Sequence, residues 1–150
     1  METIAIAADH AGYELKEFFK NNYKSQFQFE DCGTFSKESC DYPDYAHLLA
    51  SKICKGEIKR GILICGTANG VAITANKYKN VRAGIAWDTE LAVLTRQHND
   101  ANIICIPARF VSNEKAIEIG DAFFNTAFEG GRHQKRVDKI EEGNLCSNTP

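Results

Sequence analysis

The sequence predicts a three-layer α/β/α sandwich around a five-stranded parallel sheet, and three observations carry that prediction. Short apolar, β-branched runs recur along the chain, helix-period stretches alternate with them, and 150 residues leave room for one ordinary domain. Runs buried on both faces and joined by helices are what a parallel sheet with right-handed crossovers requires.

The first run, Thr3 to Ala8 (TIAIAA), reads as a buried strand. Gly12 to Tyr23 follows as a helix with Leu15, Phe18 and Phe19 on one face. Phe27 to Glu30 is a weaker strand, polar enough for a sheet edge, and Tyr45 to Cys54 is the next helix. Gly61 to Cys65 (GILIC) returns to strand, Asn69 to Tyr78 to helix, Val81 to Trp87 (VRAGIAW) to strand and Asp88 to Gln97 to helix. Asn102 to Ile106 (NIICI) supplies the last buried strand. Two helices close the chain, Ser112 to Phe124 and the charged stretch Arg132 to Glu142, before a tail over 143–150. Asp88 and Ser112 have the residue types and positions of helix N-caps. With no internal repeat and no linker, residues 1–150 read as a single domain.

Composition narrows the function. A chain with 43% hydrophobic residues, 25% charged residues and 3 prolines has the means to bury a core, which excludes a disordered or low-complexity protein. A net charge of -2 offers no electrostatic footprint for a polyanion, so nucleic acid is not an expected partner. The start METIAIAADH carries Glu2 and breaks its apolar run at Asp9, so it reads as neither an export signal nor a membrane span, and a cytoplasmic protein is expected. The six cysteines, at 32, 40, 54, 65, 105 and 146, form no CxxC pair and no zinc-finger spacing. Free thiols in a reducing compartment are the expectation.

In a parallel sheet, ligands bind beyond the carboxyl ends of the strands, so the residues after each apolar run come next. They are polar: Asp9 and His10 after the first, Cys65 and Gly-Thr-Ala-Asn-Gly after the third, Asp88 after the fourth, Arg109 after the fifth. The loop Cys65-Gly66-Thr67-Ala68-Asn69-Gly70 joins a strand to a helix without the Gly-Lys-Ser/Thr of a Walker loop or the spacing of a dinucleotide fingerprint. It reads equally as a tight connection with Cys65 in the core, or as a cradle for an oxyanion made from small residues and free helix amides. In the second case a thiol before a helix N-terminus can be lowered toward neutrality, which suits a general base. His98 in Arg96-Gln97-His98-Asn99-Asp100, taken alone, is a cap for the last helical carbonyls. Arg132 and Arg136 stand four residues apart on one helical face, either solvated surface or a clamp for a phosphate monoester. A metal site from Asp9, His10, His98 and His133 lacks any HxH or HExxH spacing, so no metal and no cofactor is expected.

Together these segments resemble a known family. Ala8-Asp9-His10-Ala11-Gly12, Asp41-Tyr42-Pro43, Ile64-Cys65-Gly66-Thr67, Ala75-Asn76-Lys77, Arg96-Gln97-His98-Asn99-Asp100-Ala101-Asn102 and Glu129-Gly130-Gly131-Arg132-His133 are similar to the signature of type B ribose-5-phosphate isomerases. The galactose-6-phosphate isomerase subunits share it, and the resemblance runs in one order from Ile4 to Ile140. It implies a Rossmann-like fold, a homodimer or larger assembly, no metal, and interconversion of the sugar phosphates ribose 5-phosphate and ribulose 5-phosphate. By the same resemblance, Cys65 is the proton-abstracting base and Thr67 helps the proton pass between two substrate oxygens. The backbone of Gly66, Thr67, Ala68, Asn69 and Gly70 is the anion hole, and His98 is the acid that opens the furanose ring. Asp9 and His10 contact substrate, Asn99 and Tyr42 contact hydroxyls, and Arg109, Arg132 and Arg136 bind phosphate or substrate. One departure stands out: the family commonly has Gly-Thr-Gly-x-Gly, and Ala68 replaces the middle glycine. If that position needs a positive φ, alanine costs about 1 kcal/mol or more. Two alternatives are an isomerase of a six-carbon 6-phosphate, allose or galactose, and a non-catalytic sugar-phosphate-binding module on the same sandwich.

An assembly follows from strand direction. Cys65 closes a strand at the carboxyl edge, whereas His98 and Asn99 precede a strand and so lie at the amino edge. Five residues rising roughly 3.3 Å each separate the two by about 15 Å, too far for one small sugar phosphate. The expectation is a two-fold homodimer with composite sites, each taking Cys65 from one chain and His98 with Asn99 from the other.

Overall fold

The computed structural model describes residues 1–23 and 27–143. The expected tail beyond 143, and Cys146 with it, lies outside the described residues. Eleven elements alternate: β1 (Thr3–Ala8), α1 (Tyr13–Asn22), β2 (Gln28–Asp31), α2 (Tyr42–Cys54), β3 (Arg60–Cys65), α3 (Asn69–Ala75), β4 (Ala83–Ile85), α4 (Thr89–Asn99), β5 (Ile103–Pro107), α5 (Asn113–Phe124) and α6 (Arg132–Glu142). The strands form one parallel sheet in the order β2-β1-β3-β5-β4.

Side-chain alternation along the strands builds two cores. Ile4, Ile6, Ile62, Ile64, Ile104 and Ile106 face one way, against Phe19 of α1, Ala92 of α4 and Phe123 of α5. Ala5, Ala7, Leu63, Cys65, Ile103 and Cys105 face the other, against Leu49 and Ile53 of α2 and Val71 and Ala72 of α3. This is the expected three-layer sandwich, and α6 packs outside it on α4. Asp88 and Ser112 cap as expected, accepting the amides of Leu91 at 2.9 Å and Lys115 at 3.0 Å. Among the described residues no helix is long and apolar enough to cross a membrane, and the five described cysteines are all free thiols.

Several boundaries differ from the sequence expectation. The run Val81 to Trp87 is not a fully buried strand: only Ala83–Ile85 pair, and they are half-buried. β5 inserts between β3 and β4, which leaves β4 as a second edge paired on one side only. α3 stops at Ala75 because Asn76 turns to the sheet, donating from Nδ2 to the Ala83 carbonyl at 3.0 Å and accepting the Ala83 amide at 2.8 Å. α2 starts at Tyr42, a turn earlier than read, with Pro43 in its first turn, where a missing N–H breaks no intrahelical bond. α4 runs on to Asn99, so His98 is helical and the left-handed cap falls to Asp100, at φ 47°.

Two features position the site. The chain leaves β1 toward β2 on one side and returns as β3 on the other, so a crevice opens beyond the carboxyl ends of β1 and β3. The segment after β2 is anchored by an ionic cluster. Asp31 accepts from Lys16 and Lys20, both at 2.6 Å, and from the Gly33 amide at 2.9 Å, although the Lys16 side chain is fully buried. Burial would raise the Asp31 carboxyl, but these bonds outweigh it and hold it below the usual carboxylate range.

Candidate active site

The crevice at the β1/β3 switch holds a cleft of about 380 Å³ whose lining includes Asp9, His10, Tyr42, Cys65, Thr67 and Arg109. Ala11, Gly66 and Gly70 complete its wall. Each side chain has a local reason for its place. Asp9 is buried and its Oδ1 accepts the Gly12 amide at 3.0 Å, which tightens the turn into α1. The Cys40 amide donates to His10 Nδ1 at 3.2 Å, which in the neutral ring leaves the proton on Nε2.

Two glycines let side chains pack closely on the loop. A Cβ on Gly66 would lie 3.0 Å from Arg109 Nη1, and one on Gly70 would lie 2.5 Å from the Tyr42 ring. The guanidinium and the phenol therefore rest on the loop backbone itself. Two further bonds strap this loop to the end of β5: the Ala108 amide donates to the Cys65 carbonyl at 2.9 Å and the Arg109 amide to the Gly66 carbonyl at 3.1 Å. Ala68 is buried and does take a left-handed conformation, φ 65°. The glycine geometry of the resemblance is thus kept at the strain cost of an alanine. The Thr67 hydroxyl accepts the Asn69 amide at 3.3 Å and so caps the loop's turn into α3.

Cys65 ends β3 and borders the cleft with little exposed surface, 4%. Cys105, on the same face of neighbouring β5, is fully buried; burial first and the Cys65 charge second push its thiol well up, so it stays protonated.

The remaining expected residues gather elsewhere. His98, Asn99 and Arg136 line a second cleft of about 330 Å³ together with His133 and Val137. Arg132 opens the helix that carries Arg136. The Arg96 guanidinium secures this end of α4, donating to the carbonyls of Ala101 at 2.7 Å and Thr126 at 3.1 Å and to Asp100 at 2.8 Å. The His98 and His133 rings stack at 4.3 Å, with 15° between their planes. Burial first, then His98 and Arg132, hold His133 below the usual histidine range.

The structure therefore sorts the site residues by sheet edge. Asp9, His10, Tyr42, Cys65 through Gly70 and Arg109 stand at the carboxyl edge; His98, Asn99, Arg132 and Arg136 stand at the amino edge, with β5 between the two. Five residues of β5 span about 15 Å at roughly 3.3 Å each. The three arginines read together in the sequence are divided, Arg109 beside Cys65 and the other two beside His98. The quartet weighed as a metal site is divided too, since Asp9 and His10 are remote from His98 and His133. Of that quartet His98 and His133 do meet, and His133 with Val137, four residues on, are the two buried positions of α6.

Comparison with known proteins shows the family. The family model described as Ribose/Galactose Isomerase matches residues 4–140. The ribose-5-phosphate isomerase B of Escherichia coli K12 is 43% identical, over 93% of this chain and 95% of its own. The crystal structure of a ribose 5-phosphate isomerase from Thermotoga maritima superposes with a TM-score of 0.91 at 46% identity, covering 95% of this chain and 99% of that one. The ribose-5-phosphate isomerase B of Mycoplasma genitalium, solved with bound ribulose-5-phosphate, gives a TM-score of 0.89 at 44% identity, over 93% and 94% of the two chains. On its matched length, its identity to these relatives and its sheet, the chain belongs to the ribose/galactose isomerase family.

Proposed function

We propose that this chain interconverts ribose 5-phosphate and ribulose 5-phosphate through an enediolate, in a cytosolic homodimer whose two active sites each join the carboxyl-edge cleft of one subunit to the amino-edge cleft of its partner. The observation that carries the reading is the division of one family's site residues between two clefts at opposite edges of the sheet. Neither half holds both a base beside an anion hole and an acid beside a phosphate grip.

The chemistry is assigned as follows. His98 protonates the ring oxygen of the furanose as the O1 hydroxyl gives its proton to solvent, and the bond from C1 to the ring oxygen breaks to leave the aldehyde. The Cys65 thiolate then takes the proton from C2, and amides of the loop from Gly66 to Gly70 stabilise the negative charge that develops on O1. The Thr67 hydroxyl passes the hydroxyl proton from O2 to O1, and return of the first proton to C1 gives the ketose. Asp9, His10, Tyr42, Asn99 and Arg109 hold the sugar chain, and Arg132 with Arg136 grip the phosphate. No step uses a metal or cofactor, and one domain over residues 1–150 contains every group named.

A surface suited to the partner adjoins the Cys65 cleft. Ile73, Trp87 and Phe110 are 62%, 57% and 70% exposed, and Trp87 and Phe110 line a depression of about 490 Å³ shared with Thr67 and Asn69. A subunit covering that face lies within reach of the base.

Replacing Arg132 or Arg136 by Ala is expected to raise KM and to lower kcat/KM about ten- to a hundredfold, the worth of one charged hydrogen bond. Steady-state kinetics on both variants checks this, and unchanged constants in both would return α6 to solvated surface. The function itself is tested by assaying purified protein with ribose 5-phosphate beside allose and galactose 6-phosphates. A larger kcat/KM for the pentose is expected. Binding without turnover would make the chain a sugar-phosphate-binding module, and a preference for a hexose would move it to the six-carbon branch.

A further inference from the structure

At the amino-edge cleft two groups that the isomerase chemistry does not use, Glu129 and His133, gather around the proposed acid His98. His98 at the end of α4, Glu129 before the Gly-Gly turn and His133 in the first turn of α6 each offer one ligand atom, and the three atoms lie within 4.8 Å of one another. His98 Nε2 is 3.9 Å from Glu129 Oε1. Backbone bonds hold the cluster in place: the Glu129 amide donates to the Gln97 carbonyl at 3.2 Å, and the His133 amide to the Gly130 carbonyl at 3.0 Å. Gly130 and Gly131, both at positive φ, fold the turn so that Glu129 and His133 converge on His98 from one side.

We infer that His98, Glu129 and His133 form an inhibitory site for a zinc-class divalent ion, which blocks the isomerase by occupying the nitrogen that His98 needs as an acid. Two imidazoles and one carboxylate are a donor set for zinc, cobalt or nickel and not for magnesium or calcium, which prefer all-oxygen shells. Binding requires the two stacked rings to turn out of their near-parallel arrangement, so that the in-plane lone pairs of both imidazoles meet one ion with the Glu129 carboxylate, and it leaves a fourth tetrahedral position open to solvent or a substrate oxygen. The nearby charges of Arg132 and Arg136 oppose a cation. They keep the site from holding an ion permanently and make occupancy depend on the free metal concentration. Ion binding needs one chain only; the inhibition rests on the acid role proposed for His98.

Cobalt(II) titration of metal-stripped protein, followed by visible absorption, reads the site directly, and assays in added Zn²⁺ read the inhibition. The expected result is one Co²⁺ per chain with tetrahedral bands and no thiolate charge transfer, displaced by Zn²⁺. Zn²⁺ inhibits and EDTA restores the full rate. Glu129→Gln keeps the basal rate while weakening both Co²⁺ binding and Zn²⁺ inhibition by at least the roughly tenfold that even an outer-shell partner's loss costs. His133→Asn gives the same loss of Co²⁺ bands if the Glu129 variant is unstable. Thiolate charge-transfer bands that survive Glu129→Gln, or no Co²⁺ binding, would overturn the site. Stoichiometric binding that Glu129→Gln weakens, with full activity at saturating Zn²⁺, would overturn the inhibition and remove His98 from the chemistry.

Discussion

Replacing Cys65 by Ala is expected to abolish measurable isomerisation, a loss on the order of 10²–10⁴ in kcat, the contribution of a positioned general base. The substitution removes one sulfur from the end of β3 and leaves the Ala108 to Cys65 backbone bond in place, so the loop keeps its strap to β5. The two arginines assigned to the phosphate lie at the other edge, and affinity for ribulose 5-phosphate should therefore change little. Measuring kcat by coupled assay and Kd by calorimetry separates the two quantities. Iodoacetamide should inactivate the wild type through Cys65, with substrate protecting it, while Cys105 stays unmodified because burial keeps its thiol protonated. Near-normal kcat in the alanine variant, or inactivation only through another cysteine, would contradict the assignment.

The largest stability effect is expected from Asp31→Asn. Lys16 has a fully buried side chain whose ammonium meets Asp31 at 2.6 Å and Glu17 at 3.1 Å. Removing one partner of a buried pair costs about 3–5 kcal/mol, and the surviving Glu17 contact places this case toward the lower end. For a chain of this size that is a fall in Tm of roughly 6–12 °C. The pH dependence has a definite sign. The Asp31 carboxyl is held below its unfolded value, so folding is favoured by its ionisation; the stabilisation is complete above the unfolded pKa of about 4 and is lost as pH falls through the folded value. Thermal melts at neutral pH and in acid should show the wild type and variant far apart at pH 7 and converging below about pH 4. A variant that melts with the wild type at pH 7 would show that the cluster is not coupled to folding. The amide introduced by Asp31→Asn has one acceptor oxygen for the Gly33 amide and the two lysines together, so the segment that carries Cys40 to His10 loosens and some loss of activity should accompany it.

The alternation of elements was legible because the strand stretches IAIAA (4–8) and GILIC (61–65) are apolar at every position, and because Asp88 and Ser112 announce their helices. The strand order was not. Periodicity says that a strand exists and which faces it buries, but the insertion of β5 between β3 and β4 depends on contacts far apart in sequence. The site divided in the same way. Cys65, Asp9 and Arg109 could be placed at one edge by their position after a strand, and His98 at the other by its position before one. The seating of Arg109 on Gly66 and of Tyr42 on Gly70 could not, since each joins residues brought together only by the fold. Lys16 ran against expectation for a different reason. Lysine is rarely buried, and what permits it here is a carboxylate 15 residues away on the neighbouring strand.

The central claim is that one active site takes its base from one chain and its acid from the other, and complementation between inactive variants tests it most directly. Cys65→Ala and His98→Ala proteins, each inactive alone, are mixed under conditions of verified subunit exchange. A mixed dimer then carries one site that lacks both groups and one that has both. With random exchange about half of the dimers are mixed and each has one working site, so up to about a quarter of wild-type activity should appear. No recovery after verified exchange, or a monomer with full activity, would contradict the composite site.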